Sequence, residues 1–119
     1  ALFDVVRLRF LDDLPVVVDR TRLSLGRIPD IENVDFTRAS LFEHLGAAGL
    51  PPAKSDFEIQ AAPAETEQAD LLDVDIGHPL LVIRETGLAA DGGPIYLGVA
   101  AYRSERYRFR ARVDRGALR

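Results

Sequence analysis

The chain contains no cysteine, which excludes disulfides, thiolate metal sites and a cysteine nucleophile. Methionine is absent too, even at position 1, so the chain is expected to be processed or cut from something longer. No run approaches the roughly 18–20 apolar residues needed to cross a bilayer, and no signal-peptide pattern opens the sequence. A soluble, cytoplasmic protein is the expectation. Repeats, low-complexity tracts and dividing linkers are missing as well. The net charge of −4 argues against nucleic-acid binding through the overall field of these residues. A parent protein that read DNA would carry the basic part elsewhere.

What is present suffices for one domain spanning residues 1–119, with 47% hydrophobic residues to bury. Leu2 to Leu11 reads as a strand, with Val6, Leu8 and Phe10 on one face and Arg7 and Arg9 on the other. Pro15 to Leu25, rich in β-branched Val16, Val17 and Val18, reads as its hairpin partner, with the turn formers Asp12 and Asp13 between. Arg27 to Val34 reads as loop. Thr37 or Ser40 suits a helix N-cap, and Glu43 follows Ser40 at capping-box distance. Leu41, Phe42 and Leu45 form the apolar stripe of that helix, and Gly46 or Gly49 can end it.

A strand is expected from about Ser55 to Ala62 and a second helix over Pro63 to Leu72, with Pro63 at its entry. After a turn at Asp75 to Pro79, Leu80 to Ala89 and Ile95 to Arg103 form a hairpin around Asp91-Gly92-Gly93-Pro94. A last strand is expected over about Arg106 to Val113. Short connections between successive strands favour an α+β fold, an antiparallel sheet with helices packed against it.

The informative cluster begins at Arg7-Leu8-Arg9, where period-two alternation puts two guanidinium groups on one face. A two-residue loop at Asp12-Asp13 would pair Leu11 with Leu14 and send Asp19 to the other face. A three-residue loop pairs Leu11 with Pro15, sets Asp19 across from Arg7 and sets Val17 opposite Arg9. The second register is expected, because an arginine then faces a carboxylate, and the floor so formed could hold an anion bidentately. A solvated strand face with ordinary ion pairs is the competing reading. Ser40, at a helix start, adds free backbone N–H groups and a favourable dipole for an anion, although plain capping also accounts for it. Tyr96 and Tyr102 point the same way with Gly98 and Ala100 between them, which leaves a concavity. That shape suits a ligand or a closely packed helix equally well.

Catalytic alternatives are thin. His44 and His78 have no metal-site spacing, Ser40 with His44 reads as a capping neighbourhood, and Asp91-Gly92-Gly93 is turn chemistry. No metal, cofactor or catalytic residue is expected. The arginine row Arg106, Arg108, Arg110 and Arg112 reads as a solvated face protecting a sheet edge rather than a nucleic-acid contact.

In order, Arg7-Leu8-Arg9 with Asp12-Asp13 and Pro15, then Ser40-Leu41-Phe42, then Ala69-Asp70-Leu71-Leu72 with Gly77 and Pro79-Leu80-Leu81, resemble successive motifs of one family. Arg84, Asp91-Gly92-Gly93-Pro94 and the segment Tyr102 to Phe109 continue the likeness. The family is the UTRA domain of the HutC subfamily of GntR transcription regulators. The resemblance implies a chorismate-lyase-like fold with one ligand cleft, and a homodimer whose effector repositions attached winged-helix domains on operator DNA. It also implies that Arg7, Arg9 and Ser40 receive the anionic group of a small metabolite, a sugar phosphate or a carboxylate. Asp19, Tyr96 and Tyr102 would bind the rest. Asp19 stands where the family commonly has a longer glutamate, and Tyr96 stands where it has a second acid. The anion end is therefore expected to be retained and the specificity end changed. The alternative is a chorismate-lyase-like enzyme acting on a small carboxylate, for which Tyr96 removes one candidate acid.

Overall fold

The computed structural model describes residues 2–24 and 41–118. Strands β1 (Leu2–Leu11) and β2 (Leu14–Ser24) form the first hairpin, followed by helix α1 (Leu41–Ala47), strand β3 (Lys54–Pro63) and helix α2 (Thr66–Leu72). Strands β4 (Pro79–Leu88) and β5 (Pro94–Arg103) make the second hairpin, and 3-10 turns at Ser104–Arg106 and Arg115–Leu118 follow. The five strands form one sheet in the order β1-β2-β5-β4-β3, with every neighbouring pair antiparallel. The expected α+β class is what the structure has.

The first hairpin combines the two loop geometries weighed from the sequence. Its turn is the two-residue one: Leu11 faces Leu14, not Pro15. Asp12 and Asp13 both adopt positive φ, 49° and 65°, as a turn matching the right-handed strand twist requires, and aspartate tolerates that region. The pairing then shifts between Phe10 and Arg9, leaving Val16 as an extra residue on β2. This bulge supplies the residue that a longer loop had been expected to supply. Beyond it, Arg7 faces Asp19 and Arg9 faces Val17, as anticipated.

The sheet buries its two faces at opposite ends. On the face carrying Arg7, Leu23 and Tyr96 cluster with Leu45 of α1, and Phe3, Val5 and Leu50 lie against them. Glycine ends α1: Gly49 takes φ 79°, while Gly49 N–H donates to Gly46 O and Leu50 N–H to Leu45 O. On the reverse face, Ala69 and Leu72 of α2 pack on Val18, Leu80, Val82 and Ala101. Fully buried Leu72 and Leu80 each contribute on the order of 1.5–3 kcal/mol. Pro63 closes β3 instead of opening α2, whose N-cap is Glu65, with Gln68 Oε1 accepting from the Glu65 N–H.

Arg103 ties these layers together. Its guanidinium donates to Pro15 O at 2.7 Å, Asp73 O at 3.2 Å and Leu72 O, and meets Glu105 at 3.3 Å. The end of β5 is thus fastened to the start of β2 and to the carbonyl end of α2, where a cation also answers the helix dipole. Glu105 in turn meets His78 at 3.0 Å, and Ser104 Oγ donates to Pro79 O.

The strand expected over Arg106 to Val113 is absent. After the Ser104–Arg106 turn, residues 107–114 carry no regular secondary structure and lie exposed. The topology gives the reason: β5 already has β2 and β4 on its two sides, so the next segment finds no adjacent free edge. The expected helix start at Thr37 or Ser40, and the loop at Arg27 to Val34, lie outside the described residues. No helix among those described is long and apolar enough to cross a membrane.

Candidate ligand-binding face

Strand pairing places Arg7, Arg9, Asp19, Tyr96 and Tyr102 on one face of the sheet, the face on which α1 also lies. Running across the strands, Arg7, Asp19, Ala100, Ile83 and Ile59 form one row. Thr21, Gly98 and Glu85 belong to the next, and Val17, Tyr102 and Leu81 to the row on the other side. Ser40 lies outside the described residues, although α1 begins at the residue after it.

The half-buried Asp19 carboxylate is held from two sides: Thr21 Oγ1 donates to Oδ1 at 2.9 Å, and Arg7 Nη2 approaches Oδ2 at 3.5 Å. The Arg7 guanidinium is not used up by this long contact, because its Nε is buried with no hydrogen-bond partner among the described residues. A buried donor without an acceptor costs about 1–3 kcal/mol, so the position favours any acceptor brought to it. Arg9, two residues along the same face, is exposed and has no ion pair among the described residues.

Tyr102 stands beside Arg9's neighbour Val17 and stacks on Tyr107, ring centroids 4.1 Å apart. Burial pushes its phenol above the ordinary range, Tyr107 adds to this, and the positive charge of Arg9 pulls the other way. Between the two tyrosines the floor is small, as expected from Gly98 and Ala100. A Cβ on Gly98 would meet nothing nearer than Thr21 Oγ1 at 3.7 Å, an ordinary contact that needs no neighbour to shift.

At the opposite end, Tyr96 is buried in the α1 cluster and its hydroxyl donates to Glu85 Oε2 at 2.5 Å. Burial first and the Glu85 hydrogen bond second push this phenol up to about 12, with a Ser55 hydrogen bond opposing them. The ring lies directly over Gly87 on β4, where any Cβ would collide with it. Tyr96 therefore closes off this end of the face, and the polar group beside it is the carboxylate it holds.

Glu85 is a residue the sequence reading missed. An acid seemed to have been lost when tyrosine took position 96, yet an acid stands one strand away, bonded to that tyrosine. Alternation along β4 hinted at it, but aligning Glu85 with Gly98 and Thr21 needs the irregular pairing between Gly87 and Leu88. From β1 to β4 is three strand spacings, about 14 Å.

The reverse face holds a groove of about 350 Å³ beside α2, lined among others by Arg20, Arg22, Arg84 and Glu67. It contains none of the anticipated site residues. Arg20 is paired with Glu67 at 2.8 Å and Arg22 with Asp4 at 3.2 Å, so two of its cations are already engaged. No cluster of metal-ligating side chains occurs among the described residues.

Residues 1–108 match the UTRA domain family. The chain belongs to that family. Over 116 residues it is 23% identical to the HTH-type transcriptional repressor NagR of Bacillus subtilis, covering 97% of this chain and 47% of NagR, so it spans about half of that relative. In fold it is similar to the C-terminal domain of the histidine utilization repressor from Pseudomonas syringae, with TM-score 0.87 and 24% identity over 95% of this chain and 79% of that one. The effector domain of PhnF from Mycobacterium smegmatis superposes with TM-score 0.86 and 22% identity, covering 95% of this UTRA domain and 70% of that chain. These homologues and structural neighbours are bacterial transcription regulators or their C-terminal domains.

Proposed function

We propose that this UTRA domain is the effector-sensing part of a bacterial GntR/HutC-type transcription regulator, taking a small anionic metabolite on its Arg7–Arg9 face without catalysis. The observation that carries the reading is the unspent donor capacity there. Arg7 Nε is buried and unpartnered, and Arg9 has no ion pair among the described residues. Two guanidinium groups on one face form a fork for a phosphate or carboxylate. Ser40 is assigned to the same anion by the family resemblance alone.

Asp19 positions Arg7, while Gly98 and Ala100 leave room for the body of the ligand. Glu85, fixed by Tyr96, takes a hydroxyl or amine at its far end, and Tyr102 flanks the anion. The regulator works in the cytoplasm, as a homodimer, and reaches DNA through a winged-helix domain outside these residues.

A panel of sugar phosphates and small carboxylates, chorismate included, tests this by calorimetry with product analysis. Saturable binding of one anion class without product is the expected result. Turnover of any member would replace the sensor with an enzyme on the same fold. Operator-selective duplex binding by these residues alone would overturn the assignment of DNA reading to another domain.

A further inference from the structure

The reverse face of the sheet is covered at one end only. Helix α2 has seven residues and packs over Val18, Leu80, Val82 and Ala101. The aliphatic surface beyond its reach stays open, with Val6 44% and Leu97 39% exposed. Along it runs the groove of about 350 Å³, the size of a small-molecule site. Cross-strand pairing sets Val6, Arg20, Val99, Arg84 and Glu58 in one row of this face.

The polar groups lining the groove separate by whether they are already spent. Arg20 is held by Glu67 at 2.8 Å and Arg22 by Asp4 at 3.2 Å. Glu65 and Gln68 form the reciprocal capping box of α2. The Arg84 guanidinium and the Gln60 amide are left without an ion pair or hydrogen bond among the described residues. Every carboxylate in the lining is therefore engaged, while N–H donors remain on offer. Arg84 is also the one arginine of the family motifs that lies on the face opposite Arg7 and Arg9 beside an aliphatic stripe. A guanidinium at the edge of Val99 and Leu97 matches an aliphatic chain that ends in an anion. Glu58, directly across from Arg84 on β3, keeps a negative charge nearby, so a monoanion is accommodated better than a doubly charged phosphate.

We propose that this groove is a second small-molecule site, which takes a medium-chain aliphatic monocarboxylate with its carboxylate on Arg84 and its chain over Val99 and Leu97.

Octanoate tests it, titrated into the full chain by calorimetry and by methyl NMR beside butanoate, hexanoate, octanamide and octyl phosphate. Affinity should rise about two- to fourfold per methylene from butanoate to octanoate, and the neutral amide and the phosphate should both bind more weakly. Arg84→Gln, an exposed change whose fold circular dichroism checks, should weaken octanoate about tenfold or more. Glu58→Gln should tighten octanoate and narrow its lead over octyl phosphate. Bound octanoate should give nuclear Overhauser contacts to the methyls of Leu97 and Val99, and none to Leu81 or Ile83 on the Arg7 face. Contacts to Leu81 or Ile83 instead, or weakening by Arg9→Ala but not by Arg84→Gln, would move the carboxylate to the effector face and overturn the second site. Affinity independent of chain length, or octanamide binding as well as octanoate, would overturn the ligand class. Leu97 and Val99 methyl shifts that follow protein concentration alone would give the groove to a second copy and overturn the proposal as well.

Discussion

Arg103 and Arg7 are the same residue in two corners of one sheet, and their donors are spent differently. Arg103, 9% exposed, gives its guanidinium to three backbone carbonyls and Glu105. Arg7 has one ion pair at 3.5 Å and a buried Nε with no partner among the described residues. An arginine whose donors all end on the protein's own carbonyls serves the fold. An arginine with a buried donor left over, on a face floored by Gly98 and Ala100, is the one on which the proposed anion site rests.

The largest expected effect follows from removing the saturated one. Arg103→Ala should cost roughly 3–5 kcal/mol of stability in urea unfolding, because it strands three backbone carbonyls at once, in one buried and two part-buried bonds. Arg7→Ala should cost under about 1 kcal/mol, since its ion pair is long and partly solvated and its unpaired donor goes with it. If the two variants unfold alike, the distinction between structural and receptive arginines fails.

Binding should show the reverse order. Arg9→Ala is expected to weaken the anionic effector by about 1.5–3 kcal/mol, roughly 10- to 150-fold, while leaving unfolding nearly unchanged. An Arg9→Ala chain that unfolds, or that binds the effector as before, would take the anion subsite off this face.

Two glycines carry the same contrast. At Gly87 a Cβ would collide with the Tyr96 ring, whereas at Gly98 it would meet only ordinary contacts. Gly87→Ala should therefore destabilise by about 1–3 kcal/mol through overpacking. Gly98→Val should fold nearly normally and block the effector. Loss of binding with equal loss of stability at Gly98 would show that the floor is core rather than site.

The strands and the arginine face were legible because alternation is a local signal: Arg7 and Arg9 share a face wherever β1 lies. The pairing of Arg7 with Asp19 was legible only by argument from charge, and the argument reached the right register with the wrong loop, since a bulge at Val16 cannot be read from the turn residues. Two features depend on non-local facts. The carboxylate of Glu85 reaches this face beside Gly98 and Thr21 through the β4–β5 and β2–β5 pairings. The strand pattern of Arg106 to Val113 is real as a pattern, but pairing needs a free neighbour, and β5 has none to offer in its own sheet.

The smallest effect concerns the end of the face where site and core meet. In the folded chain the Tyr96 phenol is pushed from the ordinary 10.0 up to about 12, by burial first and by its bond to Glu85 second. Over that interval the folded phenol keeps its proton while the unfolded one has lost it. The stability linked to this group is therefore complete below about pH 10 and is lost as pH rises toward about 12. Subtracting the urea stability of Tyr96→Phe from that of the unaltered chain cancels every other titrating group. The difference should be flat between about pH 8 and 10 and should then move against the unaltered chain. A difference flat throughout would mean that the phenol ionises freely. Glu85 would then be unclamped, and the far end of the site would be a mobile carboxylate instead of a fixed one.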